Sequence, residues 1–131
     1  MTGYLLDTHV VLWLATAPHM VPQEVRKALV GTDRLCVSAV SAYEVSQKVR
    51  LGRLPTAEGL LPRWQELLDE MMAEDLLLRT EDMLRAGSLA WDHRDPFDRM
   101  LVAQAQLHGL SLATKDFAIQ DYSGVRCLPS I

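Results

Sequence analysis

Residues 91–108 carry the clearest signal of the fold, and they have the sequence Trp-Asp-His-Arg-Asp-Pro-Phe-Asp-Arg-Met-Leu-Val-Ala-Gln-Ala-Gln-Leu-His. Its first half is a charged loop. Pro96 then stands where a helix would begin, because its φ is already helical and its missing N–H would have no intrahelical partner. Asp95 is the natural N-cap, and Asp98 falls in the first turn, near the positive end of the helix dipole. Apolar residues recur at helical spacing up to His108, so the stretch predicts a capped, packed helix with an acid in its first turn.

The bulk composition limits the class of protein. With 131 residues, of which 49% are hydrophobic, the chain can form one sizeable core, and we expect a single domain over residues 1–131. The net charge of −4 argues against a protein that coats nucleic acid, but not against a nuclease with an acidic metal pocket. No apolar run has membrane-spanning length and no signal peptide is evident, which favours a cytoplasmic protein without membrane contact. Cys36 and Cys127 stand apart from each other in apolar segments, as is typical of reduced thiols.

Short apolar runs alternate with helical patterns along the rest of the chain. Strands are predicted at 4–6, 35–37, 76–78, 110–113 and 125–128. Helices are predicted to follow Thr8 and Pro22, and to cover 38–51, 58–72 and 80–87. This alternation indicates an α/β fold with a mostly parallel sheet and helices on both faces.

Four acids fall at the ends of strands or in the first turns of the following helices: Asp7, Glu44, Asp98 and Asp116. The ligand crevice of an open parallel sheet lies outside the carboxyl ends of its strands, so these acids can converge there. Glu44 has a second interpretation. It stands three residues after Ser41, the spacing of a capping box, which would give it a structural role instead.

Clustered carboxylates point to a particular chemistry. Like charges a few ångströms apart raise one another's pKa, and a divalent cation relieves that repulsion. Oxygen ligands without histidine or thiolate partners suit Mg²⁺ or Mn²⁺ better than Zn²⁺. Ions held in this way can bind a bridging phosphate, so the pattern predicts phosphodiester hydrolysis. Thr114 either orients a carboxylate or water, or is simply a turn residue at the end of a strand.

The order of the motifs resembles the PIN-domain ribonucleases, and within them the VapC-type toxins of toxin–antitoxin pairs. The resemblance covers residues 4–125, and the motifs that carry it are Leu-Leu-Asp-Thr-His (5–9) with Trp13, Ser41 to Glu44, His-Arg-Asp-Pro-Phe-Asp-Arg (93–99) and Thr-Lys-Asp (114–116).

The resemblance implies a three-layer PIN-like α/β/α sandwich around a central, mostly parallel sheet. It also implies that the four acids surround Mg²⁺ or Mn²⁺, with Asp7, Asp98 and Asp116 as the metal ligands. The expected activity is RNA cleavage. The expected partners are a cognate antitoxin and a second copy of the chain in a homodimer.

The residues around the acids have two interpretations each. Asp95 is either a helix cap or a ligand, and together with Thr8 and Thr114 it is expected to support the site. The cationic side chains near the acids are either phosphate contacts for RNA or solvated and salt-bridged residues: Lys48, Arg50, Arg94, Arg99 and Lys115. His9 and His93 lack any metal-ligand spacing, so we expect them to be structural or to contact substrate.

Phosphoryl-accepting proteins are the alternative function class. A haloacid-dehalogenase-like enzyme also begins with an aspartate after its first strand, but needs a second acid two residues later, where this chain has His9. A receiver-like module would need paired acids after the first strand and a late Lys-Pro pair. Neither is present.

Overall fold

The computed structural model describes residues 3–128, in which strands alternate with helices. The strands are β1 (Gly3–Leu6), β2 (Leu35–Ser38), β3 (Glu74–Leu76) and β4 (Leu110–Ala113). The α-helices are α1 (Thr8–Thr16), α2 (Gln23–Val30), α3 (Ala39–Arg50), α4 (Trp64–Glu70), α5 (Thr80–Ser88), α6 (Pro96–His108) and α7 (Phe117–Gln120). Within this part of the chain, no helix is both long enough and apolar enough to cross a bilayer.

The sheet has the strand order β3-β2-β1-β4, and all its neighbouring strands are parallel. In the centre, Leu5 of β1 stands opposite Cys36 of β2 on one side and Leu112 of β4 on the other. Parallel neighbours need crossover connections, and helices supply them here. The carboxyl ends of all these strands therefore lie along one edge of the sheet.

Alternation of side chains along β1 divides the core in two. Leu6 belongs to a cluster with residues of α1, α2 and α4, whereas Leu5 belongs to a cluster with residues of α3 and α6. Both leucines are completely buried, because successive side chains of a strand point to opposite faces that helices cover. This arrangement confirms the predicted α/β/α sandwich. Both cysteines are free thiols, as the sequence indicated, with Cys36 buried and Cys127 half-buried.

Helix α6 begins and ends where the sequence predicted. The Asp95 Oδ1 atom accepts hydrogen bonds from the backbone N–H of Phe97 at 2.9 Å and of Asp98 at 3.5 Å. Gly109 ends the helix with φ of 65°, a left-handed conformation that a residue with a side chain rarely adopts. Asp95 is therefore a helix cap, and its carboxylate holds the first turn in which Asp98 lies.

The predicted capping box at Ser41 is wrong. Helix α3 begins directly after β2, and the Ser38 hydroxyl caps it by accepting from the Val40 N–H at 3.0 Å. Ser41 consequently lies inside the helix, and Glu44 lies one turn further on. The prediction placed the cap too late because it relied on the spacing of Ser41 and Glu44, which the interior of a helix can also contain. The correction removes the structural role that competed with a chemical role for Glu44.

Other predicted boundaries also change. The helix expected over 58–72 is a 3₁₀ turn at Pro55–Leu60 followed by α4, because Pro62 cannot donate an N–H to a continuous helix. The third strand lies two residues earlier than expected, at Glu74–Leu76. The last predicted strand is reduced to a single bridge between Leu112 and Cys127. Pro129, expected to follow it, lies outside the described residues.

The Asp95 cap gives a test of what holds α6. We expect Asp95→Ala to lower the free energy of unfolding by about 1 kcal/mol, because the first turn loses its hydrogen-bond acceptor. Asp95→Asn is the matched control, since asparagine caps as well and removes the same charge. Urea denaturation in EDTA measures both variants. Equal stability of the two would show that the cap does not stabilise the helix.

Candidate active site

The acids predicted from sequence occupy the carboxyl edge of the sheet. Asp7 follows β1 and Asp116 follows β4, each at the N-terminus of the next helix. Asp98 lies in the first turn of α6, and Glu44 lies in α3. Asp7 and Glu44 are buried, whereas Asp98 and Asp116 are half-buried. The carboxyl edge of the sheet thus carries four acids, two of them buried and two partly exposed to solvent.

Thr114 joins the acids that follow the two central strands. Its hydroxyl donates to Asp7 Oδ2 at 2.6 Å and accepts from the Asp116 N–H at 3.0 Å. Thr114 is completely buried at the end of β4, and parallel pairing places this end beside the end of β1. The hydroxyl therefore orients Asp7 and fixes the backbone of Asp116, as the sequence proposed for a supporting residue.

Asp98 and Asp116 approach each other together with His93. One potential ligand atom from each of these three side chains lies within 4.8 Å of the other two. His93 Nε2 lies 2.7 Å from Asp98 Oδ2. The sequence assigned His93 no place in the acidic cluster. It lies in a loop rather than at helical spacing from the acids, so no spacing rule could find it.

Glu44 is held beside Asp7 by a short network. Thr8, the residue after Asp7, donates its hydroxyl hydrogen to Glu44 Oε1 at 2.7 Å, and its oxygen lies 2.9 Å from Ser41 Oγ. Lys48 Nζ lies 2.8 Å from the other carboxylate oxygen. Each carboxylate oxygen of Glu44 thus accepts a hydrogen bond from a neighbouring side chain.

The pKa values of two acids reflect burial and mutual repulsion. The pKa of Asp98 is raised to about 7, mainly by burial and also by the charges of Asp95, Asp7 and Asp116, while the hydrogen bond from His93 opposes the rise. Burial also raises the pKa of Asp7, with a contribution from Glu44, while the Thr114 hydroxyl opposes it. The negative charge of this cluster is therefore costly in the protein alone.

This donor set fits a divalent cation. Carboxylate oxygens are the ligands that hard divalent ions prefer, and an imidazole nitrogen is acceptable to Mn²⁺ and softer ions. A bound dication would favour the ionised form of acids whose pKa is raised by burial and like charge. His93, Asp98 and Asp116 are thus the residues that could hold such an ion at the sheet edge.

The cationic residues divide into two groups. Lys48 is paired with Glu44, and the guanidinium of Arg99 donates to backbone carbonyls, so neither is a free phosphate contact. The contacts of Arg99 are thus with backbone, whereas the sequence suggested a salt bridge to the acids or a phosphate contact. Arg50 and Arg94 are exposed, and Lys115 Nζ lies 4.8 Å from the centre of the Trp13 ring.

A parallel α/β sandwich with a cluster of acids at the carboxyl edge of its sheet defines the class of protein to which this fold and site belong. The particular family follows from comparison: the PIN domain model matches residues 4–125, and the chain belongs to the PIN domain family. This confirms the resemblance inferred from the motifs. The chain is also 28% identical over 122 residues to Ribonuclease VapC22 of Mycobacterium tuberculosis (strain ATCC 25618 / H37Rv), covering 93% of each chain.

Solved structures share the fold. The chain is similar to the structure of DNA-bound VapBC from Salmonella typhimurium, with a TM-score of 0.68, 19% identity and 98% of each chain covered. It is also similar to VapBC2 from Rickettsia felis bound to a DNA fragment from its promoter, with a TM-score of 0.66, 15% identity, and 97% of this chain and 98% of that chain covered. At these identities the likeness establishes the fold.

The Thr114 hydroxyl provides one test of the site. We expect Thr114→Val to lower the free energy of unfolding by roughly 2 kcal/mol, because Asp7 loses a donor and the Asp116 N–H loses an acceptor in a buried place. Thr114→Ser keeps the hydroxyl and should cost much less. Urea denaturation at neutral pH in EDTA measures both. A valine variant as stable as the serine variant would contradict the bridging role.

Substitution of Asp98 tests whether its buried carboxylate, repelled by the neighbouring acids, destabilises the metal-free protein. A carboxyl group whose pKa is higher in the folded protein gives stability that is fully present below its ordinary pKa of 3.8 and is lost as the pH rises to about 7. We therefore expect metal-free Asp98→Asn to lose less stability than the wild type over that range, and to be more stable at neutral pH.

Thermal unfolding in EDTA across this pH range measures the effect. Glu58→Gln, which removes an exposed acid from the Pro55–Leu60 turn, is the control and should follow the wild-type profile. A neutral-pH loss of stability in Asp98→Asn would instead assign Asp98 a purely structural role.

Proposed function

We propose that this protein is an endoribonuclease that depends on Mg²⁺ or Mn²⁺ and acts as the toxin of a toxin–antitoxin pair. The observation that carries the proposal is the convergence of acids from separate segments at the carboxyl edge of the sheet, two of them with raised pKa values. Membership of the PIN domain family and the relative named Ribonuclease VapC22 support the assignment to RNA.

The hydrogen-bond pattern suggests different roles for the acids. Asp7, Asp98 and Asp116 would hold the ion. Asp116 Oδ1 accepts from the Ala118 N–H and so caps α7, and Asp7 Oδ2 accepts from the Thr114 hydroxyl. Neither of these two hydrogen bonds involves the other oxygen of Asp7 or of Asp116. Glu44 has a donor on both oxygens, so it is better suited to orient a water molecule than to be a principal ligand.

A bound dication supplies charge neutralisation of the phosphate and lowers the pKa of coordinated water. The protein's own side chains supply the rest. Thr114 and Thr8 hold Asp7 and Glu44 in fixed orientations before substrate arrives, and Lys48 limits the repulsion between those two acids. Preorganised charges of this kind need no rearrangement during the reaction.

The substrate and partners follow from the same proposal. The exposed Arg50, Arg94 and Lys115 would contact the phosphates of RNA, so RNA binding would be local rather than a general property of this chain with its net charge of −4. The Salmonella and Rickettsia structures are VapBC assemblies, which supports a cognate antitoxin as a partner here. We further propose a single domain over 1–131, a homodimer and a cytoplasmic location.

Substitution of the acids tests the activity. We expect Asp7→Asn and Asp98→Asn to lower the rate of RNA cleavage by at least about a hundredfold, because several kcal/mol of transition-state stabilisation come from the ion that they hold. Glu58→Gln removes an exposed acid and should cleave at the wild-type rate. Mapping of RNA ends after brief expression of each variant, and cleavage in vitro with Mn²⁺ or EDTA, measure the effect.

Two results would contradict the proposal. Cleavage in EDTA at the rate seen with Mn²⁺ would exclude a metal-dependent mechanism. Absence of RNA cleavage, together with a stable phosphorylated species after incubation with acetyl phosphate, would favour the phosphoryl-accepting alternative.

A further inference from the structure

We propose that His93 Nε2 is a direct ligand of the divalent cation, together with Asp98 and Asp116. This inference rests on the proposed metal site, and it changes the donor set from oxygen alone to mixed nitrogen and oxygen. The nitrogen and one oxygen from each aspartate lie within 4.8 Å of one another. Ligands about 2.1 Å from one small ion lie up to about 4 Å apart, so a small side-chain shift brings all three into range.

Arg99 fixes the backbone that carries His93. Its guanidinium donates hydrogen bonds to carbonyl oxygens of the segment between α5 and α6 and of the last part of α5: Ala86 at 2.9 Å, Leu89 at 2.9 Å, Trp91 at 2.7 Å and His93 at 3.0 Å. This segment has no helix or strand of its own between Ser88 and Pro96. One charged side chain from α6, adjacent to Asp98 in sequence, thus sets the path of the whole loop.

Aromatic stacking fixes the ring. The His93 ring stacks on Trp91 with a centroid distance of 4.7 Å, and Trp91 stacks on Tyr122 with a centroid distance of 4.6 Å and an angle of 8°. Tyr122 comes from the segment after α7, the helix that Asp116 caps. The stack therefore connects the loop to the same region that presents Asp116, and it restricts rotation of the imidazole.

The alternative role for His93 is to donate a hydrogen bond to Asp98 and merely orient it. Asp98 is already positioned by the capped first turn of α6. The restraints from Arg99, Trp91 and Tyr122 act on His93 itself, and they hold the ring where Nε2 contacts Asp98 and a ring nitrogen lies within 4.8 Å of an oxygen of Asp116. A histidine that only oriented Asp98 would need no proximity to Asp116. The geometry favours coordination.

A nitrogen ligand has a consequence for ion choice. Imidazole binds Mn²⁺ and later transition ions better than Mg²⁺, which prefers oxygen ligands. His93→Gln keeps a polar side chain but removes the imidazole. We expect it to weaken Mn²⁺ binding by on the order of tenfold or more, with a smaller effect on Mg²⁺ binding.

Electron spin-echo spectroscopy of the full chain with MnCl₂, in the absence of RNA, tests coordination directly. We expect modulation from a directly bound ¹⁴N nucleus in the wild type, its replacement on labelling with ¹⁵N-histidine, and its loss in His93→Gln. The control is His9→Gln, because His9 is the other imidazole near the acids, as its charge interaction with Asp7 shows. That variant should retain the modulation.

The possible results separate the two proposals. Bound Mn²⁺ without nitrogen modulation, or modulation that survives in His93→Gln, overturns the assignment of His93, even if RNA is cleaved. Nitrogen modulation in a protein that cleaves no RNA supports His93 as a ligand and overturns the proposed function instead. If His93→Gln does not fold by circular dichroism, the isotope experiment on the wild type and the His9→Gln control still decide the question.

Discussion

Parallel pairing of β1 with β4 is the constraint on which the rest of the structure depends. The register places Leu6 opposite Ala113, so that the residues after the two strands meet at one edge and Thr114 can bridge Asp7 and Asp116. A shift by one residue would exchange the side chains that pack in the two core clusters and would move Thr114 away from the end of β1. The packing of the core and the geometry of the acidic cluster therefore share one cause.

Burying several acids close together at this site is electrostatically unfavourable, and the rest of the fold compensates for it. Burial and like charge raise the pKa of Asp98 and Asp7, and the protein offsets part of this with the imidazole of His93, the hydroxyl of Thr114 and the ammonium group of Lys48. These donors orient the acids but do not neutralise the cluster as a whole. Such residual charge is what a dication and an anionic substrate can use.

Local signals in the sequence predicted the elements they control. The cap at Asp95, the proline after it and the glycine at the end fixed α6, and the apolar runs at the chain start and before Thr114 gave β1 and β4. Signals that depend on context failed. The capping pattern beginning at Ser41 is equally compatible with a helix interior, and the apolar stripe over 58–72 concealed the break at Pro62.

The sequence by itself determined the alternation of strands and helices, the acids at their junctions and the resemblance to PIN-domain ribonucleases, because each is encoded in residues that are close along the chain. Only the tertiary structure decided which polar groups surround those acids. Arg99 binds backbone carbonyls of the loop before α6, and His93 lies beside Asp98 and Asp116. Both outcomes depend on the path of the loop before α6, which the backbone contacts of Arg99 and the stacking of Trp91 on the distant Tyr122 hold in place.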